Sequence, residues 1–174
     1  MEIRESAEND IGAIRKVHEN AFAEAEGKTV SQLAIDIIKD ITATRVLSLV
    51  AETDNEIVGN IIFSAVKIEG SKDISAYILA PLAVTKKLQG RGIGTQLINQ
   101  GLKALKDLGA GIVLVLGDPN YYSRTGFRSG HNLRPPYDLE HPQAWMAQEL
   151  IDGALAKAQG KVQCAASLNS PEHW

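Results

Sequence analysis

The chain has 174 residues, 44% of them apolar and 22% charged, with a formal net charge of −3. A chain of this length buries roughly two-thirds of its unfolded surface without a disulfide or structural metal. Its one cysteine and four scattered histidines offer neither of these staples, so most zinc hydrolases are excluded. Slight acidity excludes the basic face of a nucleic-acid binder. The longest apolar runs, such as Ile112–Leu116, fall far short of the ~20 residues of a membrane helix. The opening MEIRESAEND lacks the basic and then apolar regions of a signal peptide. A single domain over 1–174 is expected, located in the cytoplasm. Cys164 sits in an apolar run, which reads as a buried structural thiol.

Residues 2–4 can form a first strand. Asn9 or Asp10 offers an N-cap for a helix over 11–22, where Ile11, Ile14, Val17, His18 and Ala21 share one face. Leu33, Ile37 and Ile41 place a second amphipathic helix over 30–41. The β-rich runs 47–52 and 57–68 are split by Thr53-Asp54-Asn55-Glu56, a hairpin turn by composition. A third run, 74–84, completes an antiparallel meander. Ile93, Leu97, Ile98, Leu102 and Leu105 then predict a helix over 93–108, stopped by Gly109. Ile112–Leu116 is unbroken and apolar, as in a strand buried on both faces. The run ending at Val84, the helix and this strand therefore form a parallel βαβ unit. Residues 126–130 look like the start of a further strand, and 144–155 read as a helix by composition.

Between that strand and helix lies Gln89-Gly90-Arg91-Gly92-Ile93-Gly94-Thr95. Three glycines at alternate positions permit left-handed dihedrals and remove Cβ atoms from the path of a ligand. The freed amides and the helix macrodipole together favour a phosphate. A P-loop would require Gly-Lys-Ser/Thr, and the dinucleotide fingerprint requires G-x-G-x-x-G. Here the spacing is G-x-G-x-G. Asp118 could imitate a ribose-binding acid, but it comes too late, and the preceding meander is wrong for a dinucleotide fold.

The motif Gln89-Gly90-Arg91-Gly92-Ile93-Gly94, five residues after Val84, resembles the acetyl-CoA turn of the GNAT acetyltransferases. Tyr122-Ser123-Arg124-Thr125-Gly126-Phe127 resembles that family's Tyr-x-x-x-Gly-Phe segment. The stretch 80–127 is most similar to a bacterial subgroup of predicted N-acetyltransferases. The resemblance implies an α/β fold with a mixed, largely antiparallel sheet, a central parallel pair splayed around the cofactor, and flanking helices. It assigns pantetheine to the main chain of Leu82, Ala83 and Val84, with Pro81 suiting the splay because it lacks an N–H. Pyrophosphate falls to the amides of Gln89, Gly90, Arg91, Gly92, Ile93, Gly94 and Thr95, with Lys86, Lys87 and Arg91 as candidate countercharges. By the same resemblance, Leu150-Ile151-Asp152-Gly153-Ala154-Leu155 is a turn between two strands. Residues 145–150 and 162–165 are then strands, against the helical composition.

That family chemistry implies acetyl-CoA as cosubstrate, no metal, and an amine of a small molecule or protein as acceptor. It implies no nucleic-acid or membrane partner, and it admits a homodimer. Acetyl transfer needs a free amine, a donor for the tetrahedral oxyanion and a proton for the leaving thiolate. Tyr122 matches the family's general acid, a main-chain N–H within 82–84 can serve the oxyanion, and Tyr121 is expected in the core or the substrate cleft. Glu24, Glu26, His18 and Ser64 lie on segments bordering the acceptor side, and no spacing selects one as base. A non-catalytic CoA or acyl-CoA-binding regulator is the alternative, and a nucleotide-dependent oxidoreductase comes third.

Overall fold

Alternating apolar residues and a two-residue Asp54-Asn55 turn make β2 (Val46–Thr53) and β3 (Glu56–Ile68) a hairpin. Both turn residues are left-handed, with φ of 50° and 60°, the geometry whose twist matches that of paired strands. β1 (Glu2–Glu5) pairs antiparallel with β2, and β4 (Ala76–Val84) antiparallel with β3. That is the expected meander. The chain then crosses through α3 (Ile93–Asp107) to β5 (Ile112–Leu116), which pairs parallel with β4. The computed structural model describes residues 1–174.

Before α3 come two helices on the opposite face, α1 (Ile11–Ala21) and α2 (Glu24–Ile38). After β5 follow α4 (Pro119–Tyr122), β6 (Leu133–Arg134), β7 (Trp145–Glu149), α5 (Ala154–Lys157) and β8 (Gly160–Gln163). The sheet runs β1-β2-β3-β4-β5-β7, and β8 joins β3 to β6 off that path. The fold is thus the mixed, largely antiparallel sheet with one central parallel pair that the resemblance implied.

β5 shows why its sequence has no polar alternation. Ile112 and Leu114 pack with Ile14, Leu33 and Ile37 of α1 and α2, whereas Val113 and Val115 pack with Leu97, Ile98 and Leu105 of α3. Both faces are covered, so both must be apolar. No helix is long and apolar enough to cross a membrane.

Several elements depart from the sequence expectation. α2 begins at Glu24, six residues early, through a polar stretch that includes Gly27. A Cβ at Gly27 would lie 2.7 Å from the Glu19 carbonyl oxygen, so the glycine lets α1 and α2 cross closely. α2 also stops at Ile38, and Ile41 is 96% exposed. The Asp40 carboxylate ends that turn by accepting the amides of Thr42 and Ser167 and the Ser167 hydroxyl. Residues 126–130 form no strand; only Arg128 bridges to Ala147. Composition alone misleads at β7: the strand that the resemblance implied over 145–150 is present, because the edge of β5 pairs with it from Leu116↔Trp145 to Ile112↔Glu149. β8 runs from Gly160 to Gln163, two residues earlier than expected. Cys164 is buried, and burial pushes its thiol up to about 12, so it is an inert packing group.

His18 is fully buried, and its Nε2 lies 2.8 Å from Asn60 Oδ1. The Asn60 amide donates to Ser48 Oγ and the Leu49 carbonyl, so Oδ1 accepts from His18 Nε2–H. Nδ1 has no partner. Burial lowers the His18 pKa to about 4 from 6.5, the Asn60 hydrogen bond only partly opposing the shift. The unfolded chain therefore binds a proton that the folded chain refuses between those values, and stability falls as pH drops from about 6.5 to 4. Asp40 titrates lower: burial raises it, but hydrogen bonds from Ser167 and Thr42 prevail and hold it at about 2. Urea unfolding across this pH range is expected to show a loss of roughly 3 kcal/mol from the histidine. A His18→Gln variant is expected to lack that slope; the same slope in both proteins would place its origin elsewhere.

Candidate active site

The parallel ladder between β4 and β5 ends at Leu79↔Val115. β4 continues to Val84 along β3, but without a neighbour on the β5 side. The departure has a local cause. Leu79 faces Phe63 and Leu82 faces Ile61, so Ala80 and Pro81 together stand opposite the single residue Ile62. Such a bulge bends its strand, and Pro81 has no N–H to leave unpaired there. The two central strands therefore open into a gap.

A groove of about 380 Å³ lies along the free edge of β4. Leu82, Ala83 and Val84 line it, with Gln89, Gly90, Gly92, Ile93, Gly94 and Thr95 at the start of α3 and Tyr121 and Tyr122 of α4. Gly90 and Gly92 have φ of 76° and 85°, values that a side chain strains to reach. A Cβ on either would meet nothing within 4 Å, so the space in front of the turn is open. Gly94 differs, since a Cβ there would collide with the Tyr121 hydroxyl. The Gln89 side-chain Nε2 donates to the Val84 carbonyl at 2.8 Å and ties the turn to the end of β4.

Tyr122 is aimed by its surroundings. Asp118 Oδ1 caps α4 by accepting the Asn120 amide at 2.9 Å. The Tyr122 ring lies over Gly117, where a Cβ would collide with it. It meets Tyr121 and the fully buried Phe127 edge-on, at 5.0 and 5.8 Å between ring centroids. Gly126, with φ of 100°, makes the turn that brings Phe127 underneath. Burial raises the Tyr122 phenol well above 10, helped by Tyr121.

On the far side of the gap a second cleft, of about 620 Å³, runs between α2, β4 and the last residues of the chain. It shares Phe22, Leu82 and Tyr122 with the groove. Those three residues mark the junction of the two spaces.

An acetyltransferase (GNAT) domain model matches residues 44–129. The uncharacterized N-acetyltransferase YjhQ of Escherichia coli K12 is 34% identical over 163 residues, covering 90% of this chain and 88% of that protein. The chain belongs to the GNAT acetyltransferases. These enzymes move an acetyl group from acetyl-CoA to an amine. The crystal structure of Escherichia coli YhbS in complex with CoA superimposes with a TM-score of 0.88 at 32% identity, covering 98% of this chain and 92% of that one. A GNAT acetyltransferase from Brucella melitensis in complex with acetyl-CoA gives 0.71 at 32% identity, over 96% and 97% of the two chains.

This GNAT chain gathers Tyr122 and nine of the ten expected cofactor residues around one groove; Arg91 is exposed and lies off its lining. Lys86 and Lys87 also lie elsewhere, in a polar hollow beside α1, where the Lys86 amide donates to Asn20 Oδ1 and Lys87 is 3.9 Å from Glu56. The cation that does line the groove is Arg124, whose guanidinium sits 4.9 Å over the Tyr121 ring. Tyr121 itself is partly buried against the core, one of the two places expected, and lines the groove and not the second cleft. Of the four acceptor-side candidates, only Glu26 lines the cleft. His18 and Ser64 are fully buried in the core. Asp118, Glu172, His173 and Trp174 line it as well. The sequence singled out Asp118 only as a mimic of a ribose-binding acid, not as a residue of this cleft. The tail residues carried no sequence signal.

Gly117→Ala is expected to overpack the Tyr122 ring and destabilise the fold by about 1–3 kcal/mol. Gly12→Ala, in α1 where a Cβ meets nothing within 4 Å, is expected to stabilise slightly. Urea unfolding of both variants checks the pair. Equal effects would show that Tyr122 is not held against Gly117.

Proposed function

We propose that this chain is an acetyl-CoA-dependent N-acetyltransferase whose general acid is Tyr122, acting on a primary amine of a small molecule or protein. It works in the cytoplasm, with residues 1–174 as one domain. The observation that carries the reading is the position of Tyr122, at the junction of the turn-bound groove and the second cleft. Acetyl-CoA lies in the groove with pantetheine along Leu82, Ala83 and Val84. Its pyrophosphate meets the amides from Gln89 to Thr95, including that of Arg91. The thioester then reaches the gap, and the acceptor enters from the opposite side.

The amine, having lost its proton, attacks the thioester carbonyl; an N–C bond forms and the C–S bond breaks. A main-chain N–H within 82–84 donates to the tetrahedral oxyanion. Tyr122 donates its phenolic proton to the departing sulfur, and the proton shed by the new amide nitrogen restores the phenol. Burial keeps the phenol protonated at any working pH. A free thiolate of pKa near 8.5 would not take that proton completely. Donation therefore acts while charge builds on sulfur during C–S cleavage.

Two variants test the two halves of the reading. Gly92→Val strains a φ of 85° and fills the open space before the turn. It is expected to weaken acetyl-CoA binding by more than ~2 kcal/mol through lost charge-assisted hydrogen bonds, as calorimetry would measure. Unaltered affinity in a folded variant would remove the phosphate turn. Tyr122→Phe keeps the ring and its packing, so acetyl-CoA affinity should hold while kcat falls roughly 10²-fold. Single-turnover rates with an accepted amine decide this. An unchanged rate would reduce Tyr122 to a packing residue, and binding without any transfer would favour a regulatory module.

A further inference from the structure

The cleft across the gap has a distribution of chemistry that bears on what enters it. Its floor is apolar: Leu33, Ile78, Leu79 and Leu168 are buried there. Its rim carries three exposed carboxylates, Glu26, Asp118 and Glu172, and no lysine or arginine lines it. His173 is the remaining titratable wall group apart from Tyr122, 3.6 Å from the Glu172 carboxylate. The wall formed by residues 171–174 is fixed: Trp174 Nε1 donates to the Leu168 carbonyl at 2.7 Å, and its ring packs edge-on against Trp145 at 5.5 Å. At about 620 Å³ the cleft has the size of a small-molecule site, not of a trench for a folded partner. Tyr122, partly buried and with its hydroxyl making no hydrogen bond within the protein, stands where this cleft meets the cofactor groove.

We propose that the acceptor is a small primary ammonium compound with an apolar body and no carboxylate beside its amine. This rests on the acetyltransferase reading and narrows its substrate class. The apolar body lies on the floor, where burial supplies affinity. The acidic rim attracts the ammonium and repels an acid. The ammonium loses two protons in becoming the amide: one reaches the thiolate sulfur by way of Tyr122, and the other leaves to solvent. A carboxylate adjacent to the amine would face Glu26 and Asp118 without a countercharge. A polyhydroxylated body would leave its hydroxyls unpaired on the floor.

The test uses the full chain, acetyl-CoA and four acceptors: phenethylamine, phenylalanine, glucosamine and Nα-acetyl-lysine amide. Phenylalanine is phenethylamine with a carboxylate added next to the amine, so that pair isolates the charge. Phenethylamine is expected to exceed phenylalanine and glucosamine by 10²-fold or more in kcat/KM. Glu26→Gln and Asp118→Asn are each expected to raise its KM roughly threefold, the scale of exposed ion pairs, with the KM for acetyl-CoA held within twofold. Phenylalanine or glucosamine used as well as phenethylamine overturns the proposal. A preference for Nα-acetyl-lysine amide also overturns it and points to protein acceptors. Acetyl-CoA binding with no turnover of any of the four overturns it too. Failure to bind acetyl-CoA at all would instead sink the acetyltransferase reading beneath it.

Discussion

The parallel pair in the middle of this largely antiparallel sheet cannot stay paired along its whole length. β3 continues to hold β4 beyond Leu79, while β5 stops four residues into the shared ladder. The bulge at Ala80 and Pro81 decides which neighbour β4 follows. What remains is a strand edge in the interior with backbone groups facing a gap. Backbone polar groups in such a place need partners, and an extended amide-bearing ligand supplies them by the same geometry as another strand. The opening of the sheet is thus both a defect in pairing and the reason a ligand fits there.

Close approach is the second constraint, and glycine answers it in two distinct ways around the gap. Gly90 and Gly92 are needed for their positive φ, with open space where a side chain would point. Gly94 and Gly117 have ordinary dihedrals and are needed because Tyr121 and Tyr122 press against them. Gly101 does the same for Phe63, letting α3 settle on β3. The turn before α3 is therefore shaped for something outside the protein, and the glycines beside the tyrosines for packing within it.

Much of this was legible in the sequence, for physical reasons that differ by region. The β2–β3 hairpin and α3 announce themselves because period and turn chemistry agree. The groove was legible because its residues lie on a strand, a turn and a helix start that are contiguous from Leu82 to Thr95. The first turns of α2 were hidden by polar residues and by Gly27, whose reason is a contact with α1 that no local pattern reports. β7 was masked by helical composition and legible only through the family resemblance, because it is the edge of β5 that makes it a strand. Arg124 and Tyr121 depend on the direction of one helical turn capped by Asp118. The tail residues on the acceptor side meet α2 from the far end of the chain, and composition carries no trace of such a meeting.

Tyr122 shows how packing and chemistry set opposing demands on one side chain. Its hydroxyl makes no hydrogen bond within the protein, and the partly buried side chain faces the junction of the groove and the second cleft. Here the ring is held by Gly117 beneath it and by edge-on contacts with Tyr121 and Phe127, worth about 0.5–1.5 kcal/mol per aromatic pair beyond the area they bury. Those contacts hold the ring at that junction. A protein acceptor within reach would occupy the proton that the proposed acid gives to sulfur. In the mechanism we propose, the unpaired hydroxyl and the tightly packed ring are one arrangement: the packing fixes a donor in place, and the lack of an internal partner keeps that donor free for the charge that appears as the C–S bond breaks.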